Sequence, residues 1–88
     1  MADAALKKKV RDILKTGYFR DPDDAVSVSD SEDVDGNIHV VIVSPKFSGK
    51  RLSEKTDFIL PELQRLDPED WGRVSLSIGV SPEELKAL

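Results

Sequence analysis

The sequence predicts an α+β domain of two layers, a three-stranded sheet with helices on one face, in the order α-β-β-α-β-α. Three observations predict it. Apolar residues recur at helical spacing near the start, at Leu6, Val10, Ile13 and Leu14. Two later segments, from Ala25 and Arg73, alternate apolar and polar residues with period two, and a third, from Ile38, is a short apolar run of strand length. Between and after these strands lie a second helical stripe and the capping sequence Ser81-Pro-Glu-Glu84. With 88 residues the chain is expected to make one domain, residues 1–88, around one small core.

The first helix is expected to open on Asp3 as N-cap and to run through Thr16. Gly17 suits the left-handed position after a helix, and Tyr18 and Phe19 can fold back over its last turn. Lys7, Lys8, Lys9, Arg11 and Lys15 then form a solvated face. Asp21-Pro-Asp-Asp24 reads as a turn, and Val26 and Val28 as the buried side of a first strand. Asp35-Gly-Asn37 is a hairpin turn into a second strand, Ile38–Ser44, with Ile38, Val40 and Ile42 on one face. His39, Val41 and Val43 take the other face, and Pro45 ends the strand. From Leu52 a stripe of Leu52, Ile59, Leu63 and Leu66, with Thr56 in phase, predicts a helix that Pro61 kinks or breaks. Asp67-Pro-Glu-Asp-Trp71 looks like a capped helical turn with Trp71 as a lid over its junction with the next strand. In the third strand Val74, Leu76, Ile78 and Val80 are expected to face inward and Ser75, Ser77 and Gly79 outward. A short last helix, capped by Ser81, is expected through Leu88.

The formal net charge of −4 hides blocks of opposite sign: +4 over residues 1–20, −7 over 21–37, +3 over 38–55 and −4 over 56–72. Local patches therefore matter more than the total, and the acidic balance argues against a dedicated nucleic-acid binder. No apolar run reaches membrane-spanning length, and the N-terminal residues do not read as a signal peptide. The absence of cysteine excludes disulfides, thiolate ligands and cysteine nucleophiles, and fits a cytoplasmic setting.

One segment, Asn37 to Leu52, carries a resemblance. Val41-Ile-Val-Ser44 followed by Phe47-Ser-Gly-Lys-Arg-Leu52 resembles the second strand and signature turn of the BolA-like proteins, relatives of the type II KH fold. Val26-Ser-Val-Ser-Asp-Ser31 is similar to that family's first strand. Leu76-Ser-Ile78 and Ser81-Pro-Glu-Glu84 are similar to its Ala-Leu-Ser-Ile segment and closing Thr-Pro-Glu-Glu. The resemblance implies the same element order and a small adaptor linked to monothiol glutaredoxins and to iron or stress regulation. Members share an iron–sulfur cluster through a His before the third-strand segment and a Cys or His after the first strand. Here the first position is Val74, and Asp30 to Asn37 contains neither Cys nor His. The family's Arg-His-Arg in the long helix is Lys55-Thr-Asp57. Valine cannot ligate iron, so no cofactor is expected.

Weighed on their own, few residues carry chemistry. His39 is the only imidazole and only a weak candidate metal ligand, more simply an ordinary strand residue. The acids of residues 30–37 do not match a calcium loop, whose first and last ligand positions would be Ser31 and Ile42. One His, no Cys and scattered serines assemble no catalytic set, so the chain is read as a non-enzyme. The candidate binding surface is Lys46, Ser48, Gly49, Lys50, Arg51 and Lys55, where a helix start and a glycine turn could take a phosphate or an acidic peptide. It is not a P-loop, since the required Gly is Ser44 and the required Ser or Thr is Arg51. It lacks the Gly-x-x-Gly of standard KH domains, and no exposed aromatic pair is expected for base stacking. The plainer alternative, that Phe47 plugs the core while Gly49 makes the turn, stands beside it. The reading is a protein-binding adaptor with weak or no nucleic-acid affinity; the alternative is a KH-like nucleic-acid-binding transcriptional regulator.

Overall fold

The computed structural model of the chain describes residues 4–87. Asp3 and Leu88, expected at the ends of the first and last helices, lie outside the described residues. The elements are α1 (Ala4–Thr16), β1 (Ala25–Asp30), β2 (Ile38–Val43), a 3₁₀ turn (Pro45–Phe47), α2 (Leu52–Leu63), α3 (Pro68–Trp71), β3 (Val74–Val80) and α4 (Pro82–Lys86). The sheet order is β1-β2-β3, with β1 antiparallel and β3 parallel to β2. The fold is therefore the α+β class expected.

The core lies between this sheet and two helices. Val10 and Leu14 of α1 and Ile59 and Leu63 of α2 are buried with Val28, Ile38, Val40 and Ile42 of the sheet. Phe19, just past α1, and Phe47, just past β2, are fully buried, their centroids 5.5 Å apart. Trp71 and Val74 pack against the same cluster, as a lid over the junction requires. Ion pairs tie the α1 lysines down: Lys7 to Asp30 at 3.0 Å, and Lys9 to Asp70 at 2.6 Å and Asp67 at 3.3 Å. The Asp70 carboxylate, and then Asp67, raise the Lys9 ammonium above its usual range. Capping fixes the end of the chain, because Ser81 Oγ accepts the Glu84 N–H at 3.2 Å and Glu84 accepts the Ser81 N–H at 3.0 Å.

Four expectations fail, each for a local reason. The alternation of β3 is real but its sense is reversed. Ile38 pairs with Val74, then a bulge intervenes and His39 pairs with Leu76. One extra residue flips every later side chain to the other face. Ser77 and Gly79 thus share the core face with Val40 and Ile42, while Leu76 and Ile78 are 42% and 36% exposed. Gly79 belongs inside because Phe47 lies where its Cβ would be. Gly17 does not adopt a positive φ, which among the described glycines only Gly36 and Gly49 do. The end of the Glu62 side chain takes the space where a Gly17 Cβ would be, and Glu62 Oε1 accepts the Tyr18 N–H at 2.5 Å. Leu52 is 74% exposed, and Lys55 takes the buried place one turn before Ile59. Of the two expected effects of Pro61, the break fails, because α2 continues to Leu63 as one helix. Only the last turn lies beyond the proline, so the helix loses one hydrogen bond near its end instead of a span of them.

Candidate functional site

The turn from β2 to α2 is built outward from the core. Ser44 caps the 3₁₀ turn by accepting the Lys46 N–H at 3.0 Å, and Pro45 presets its first φ. Phe47 then plunges inward, and the Lys50 N–H closes the loop on the Phe47 carbonyl at 3.0 Å. Gly49 sits at φ +72° with open space around its Cβ position, so backbone conformation alone selects glycine there. Arg51 precedes α2 in an extended conformation, and Glu54 accepts its N–H at 3.0 Å.

Of the six expected binding residues, three are engaged inside the molecule. Lys46 forms ion pairs with Asp24 at 2.6 Å and Asp21 at 3.1 Å, and its ammonium also donates to the Tyr18 carbonyl. Burial alone would lower Lys46, but the Asp24 and Asp21 contacts outweigh it and raise the ammonium above its usual range. Lys55 is 6% exposed and grips both oxygens of Glu84, at 2.6 and 2.8 Å. The Lys55 ammonium first, then the Ser81 N–H and hydroxyl, lower Glu84 to about 2. Ser48 Oγ donates to Glu83 at 2.9 Å. These three residues fasten the turn and the start of α2 to the connection between α1 and β1 and to α4.

What remains outward is the tip Gly49-Lys50-Arg51-Leu52, all four residues exposed. Among the described residues neither Lys50 nor Arg51 forms an ion pair. Glu54, having folded back on the Arg51 N–H, already occupies part of the helix start that an anion would use. Next to the tip lies a feature the sequence did not reveal. Tyr18, 43% exposed, stacks on Phe58 at 5.3 Å between centroids and 15° between planes. Phe58 itself is half-buried against the core, so only the Tyr18 ring is exposed and the two do not form an exposed aromatic pair. The Lys46 ammonium lies 4.7 Å from the Tyr18 centroid and that of Lys50 5.9 Å from the Phe58 centroid, so both compete with any base for the rings. A cleft of about 450 Å³ beside them is lined by Gly17, Tyr18, Arg20, Asp21 and Lys46.

His39 lies on the open sheet face, half-buried, between Ser29 and Leu76 in the strand register. No three His, Cys, Asp or Glu side chains converge as a metal site among the described residues. Val74 packs on the core. No helix of the described residues is long and apolar enough to cross a membrane. Asp24, Asp21, Glu83 and Glu84 are the partners that sequence reasoning missed. Asp24 left no local signal, whereas Lys55 stands four and eight residues before Ile59 and Leu63, a phase that marks it as facing inward. Comparison with known protein families, with curated proteins and with solved structures gives no significant match.

Proposed function

We propose that this protein is a small non-enzymatic adaptor of BolA-like character that docks an acidic segment of a protein partner on the tip Gly49–Leu52. The observation that carries this reading is the composition of that tip. Two cations outside any described ion pair, Lys50 and Arg51, directly precede a leucine that is 74% exposed, on a turn pinned to the core by Phe47. Two charges plus an apolar side chain suit a peptide, where charge steers and the leucine anchors. A monothiol glutaredoxin, named by the resemblance, is the partner to try first. Titration of the host's monothiol glutaredoxin by calorimetry is expected to show binding that Lys50→Glu/Arg51→Glu and Leu52→Asp each weaken at least tenfold. All three changes lie on exposed positions, so the melting temperature should stay within about 2 °C of the parent. Unaltered affinity in all variants would sink the reading.

The nucleic-acid alternative draws on the Tyr18–Phe58 stack. With Lys46 and Lys55 committed internally, only Lys50 and Arg51 remain at the tip to meet phosphates. Two contacts give a salt slope of about −1.8 on duplex DNA and weak affinity near physiological salt. Fluorescence anisotropy is expected to show dissociation constants no tighter than micromolar at about 150 mM salt. Nanomolar, sequence-dependent binding would promote this alternative over the adaptor. For the cluster chemistry of the family, anaerobic reconstitution with iron and sulfide is expected to leave no stable visible chromophore on the protein. A chromophore abolished by His39→Ala would contradict that.

A further inference from the structure

The sheet has helices on one face only, and the register of its three strands orders the other face in rows. Across β1, β2 and β3 these rows read Ala25–Val43–Val80, Ser27–Val41–Ile78 and Ser29–His39–Leu76. Every row steps from a small side chain at β1 to a large one at β3. None of the nine carries a fixed charge, on a chain in which 34% of residues are charged. Leu76 and Ile78 remain 42% and 36% exposed, while Val41, Val43 and Val80 are half-covered by their neighbours. The bulge after Val74 produces this face, since without it Leu76 and Ile78 would turn into the core.

We infer that this face pairs with the same face of a second copy, about a two-fold axis running parallel to β2. That axis places β1 of one copy opposite β3 of the other. The small column Ala25, Ser27, Ser29 then receives the large column Val80, Ile78, Leu76, and Val41 meets its own equivalent at the centre. An axis perpendicular to the strands would instead set large against large and leave a wedge over β1. The step in each row is therefore self-complementary in one orientation only, which selects a second copy as occupant. Sheets packed face to face in this way stand about 10 Å apart with strands inclined by about 30°.

Size and charge set the strength. Three strands about 4.8 Å apart and five residues long offer on the order of 300 Å² per copy, against about 800 Å² per partner in a stable complex. The dimer is consequently weak and concentration-dependent. The acidic hairpins of residues 30–37 come to the same end of the assembly and repel, so added salt strengthens association. A surface held by charge attraction responds in the opposite sense.

Sedimentation equilibrium of the full chain up to about 1 mM tests this. Expected are a monomer–dimer equilibrium in the range of roughly 0.1–1 mM at 0.15 M salt, and tightening at 0.5 M salt. Ile78→Asp and Ser29→Arg each should weaken it at least tenfold, with circular dichroism reporting the fold of each variant. Size exchange tests the orientation. Ser27→Ile and Ile78→Ser should each weaken the dimer several-fold, and the two together should return it to within about threefold of the parent. A protein still monomeric at 1 mM would overturn the inference, even if another protein occupied the face. So would a dimer indifferent to the face variants, one weakened by salt, or a double variant no better than its weaker parent.

Discussion

Replacing Asp24 by Ala is expected to destabilise the fold by about 3–5 kcal/mol, the range for removing one partner of a buried ion pair. Asp24 is 3% exposed. Its Oδ1 accepts the Ser44 hydroxyl at 2.5 Å, and its Oδ2 accepts Lys46 at 2.6 Å and the Asp21 N–H at 3.2 Å. The truncation strands the Lys46 ammonium in a partly buried place and leaves the fully buried Ser44 hydroxyl without its acceptor. Against a total stability of about 4–13 kcal/mol for a chain of this length, such a loss is large. Asp24→Asn keeps the shape and loses the charge, so about half that cost is expected. Urea titrations of parent and variants measure it; a cost under about 1 kcal/mol would show that the site relaxes.

The pH dependence has a defined sign. Burial alone would raise the Asp24 carboxyl, but hydrogen bonds from Lys46, Ser44 and the Asp21 N–H outweigh it and hold it below the ordinary 3.8. A depressed carboxyl stabilises the fold above its unfolded value, and that contribution fades as pH falls through the lower native value. Lys46, raised above 10.5, contributes below that value and loses its contribution as pH rises through the native one. Parent stability should therefore be flat between about pH 5 and pH 9 as far as this pair is concerned, and the acid limb should be shallower in Asp24→Asn.

Much of this architecture was legible because local rules suffice for it. Helical stripes at Val10 and Leu14, period two at Val26 to Val28, and the Ser81–Glu84 capping box all refer to residues a few positions apart. What escaped depends on contacts between distant segments. The reversed sense of β3 sets Gly79 against Phe47, a residue from a distant segment, and the alternation of β3 reads equally well in either sense. Lys46 looked like a ligand-binding cation because its carboxylates, Asp21 and Asp24, lie across the hairpin in an acidic run that resembled solvated loop. The site was thus half legible: Gly49, Lys50 and Arg51 stay at the surface, while Lys46, Ser48 and Lys55 are fastenings. Phe47, from the plainer reading of the same turn, makes the outward tip possible.

That dependence on Phe47 gives the second large effect. Gly79→Val is expected to cost about 3 kcal/mol, at the upper end for overpacking a close-packed site. A Cβ at Gly79 would stand 2.8 Å from Phe47 Cζ and 2.9 Å from Cε2, nearer than such atoms approach. The ring has little room to move, because Phe47 is fully buried and packs on Phe19 at 5.5 Å between centroids. Valine's preference for strands, worth up to about 1 kcal/mol, offsets only part of the strain. Phe47→Leu alone removes volume and is expected to cost about 1–2 kcal/mol. Combined with Gly79→Val it makes room for the new side chain, so the double variant should be more stable than the sum predicts by about 1–2 kcal/mol. Additive costs would mean that the ring and the strand do not compete for this space. The cycle also bears on the tip, since Lys50 closes its loop on the Phe47 carbonyl. If Gly79→Val displaces the ring, affinity for the partner proposed to dock at Lys50 and Arg51 should fall although both side chains are unchanged. Phe47→Leu added to it should bring that affinity back in step with stability.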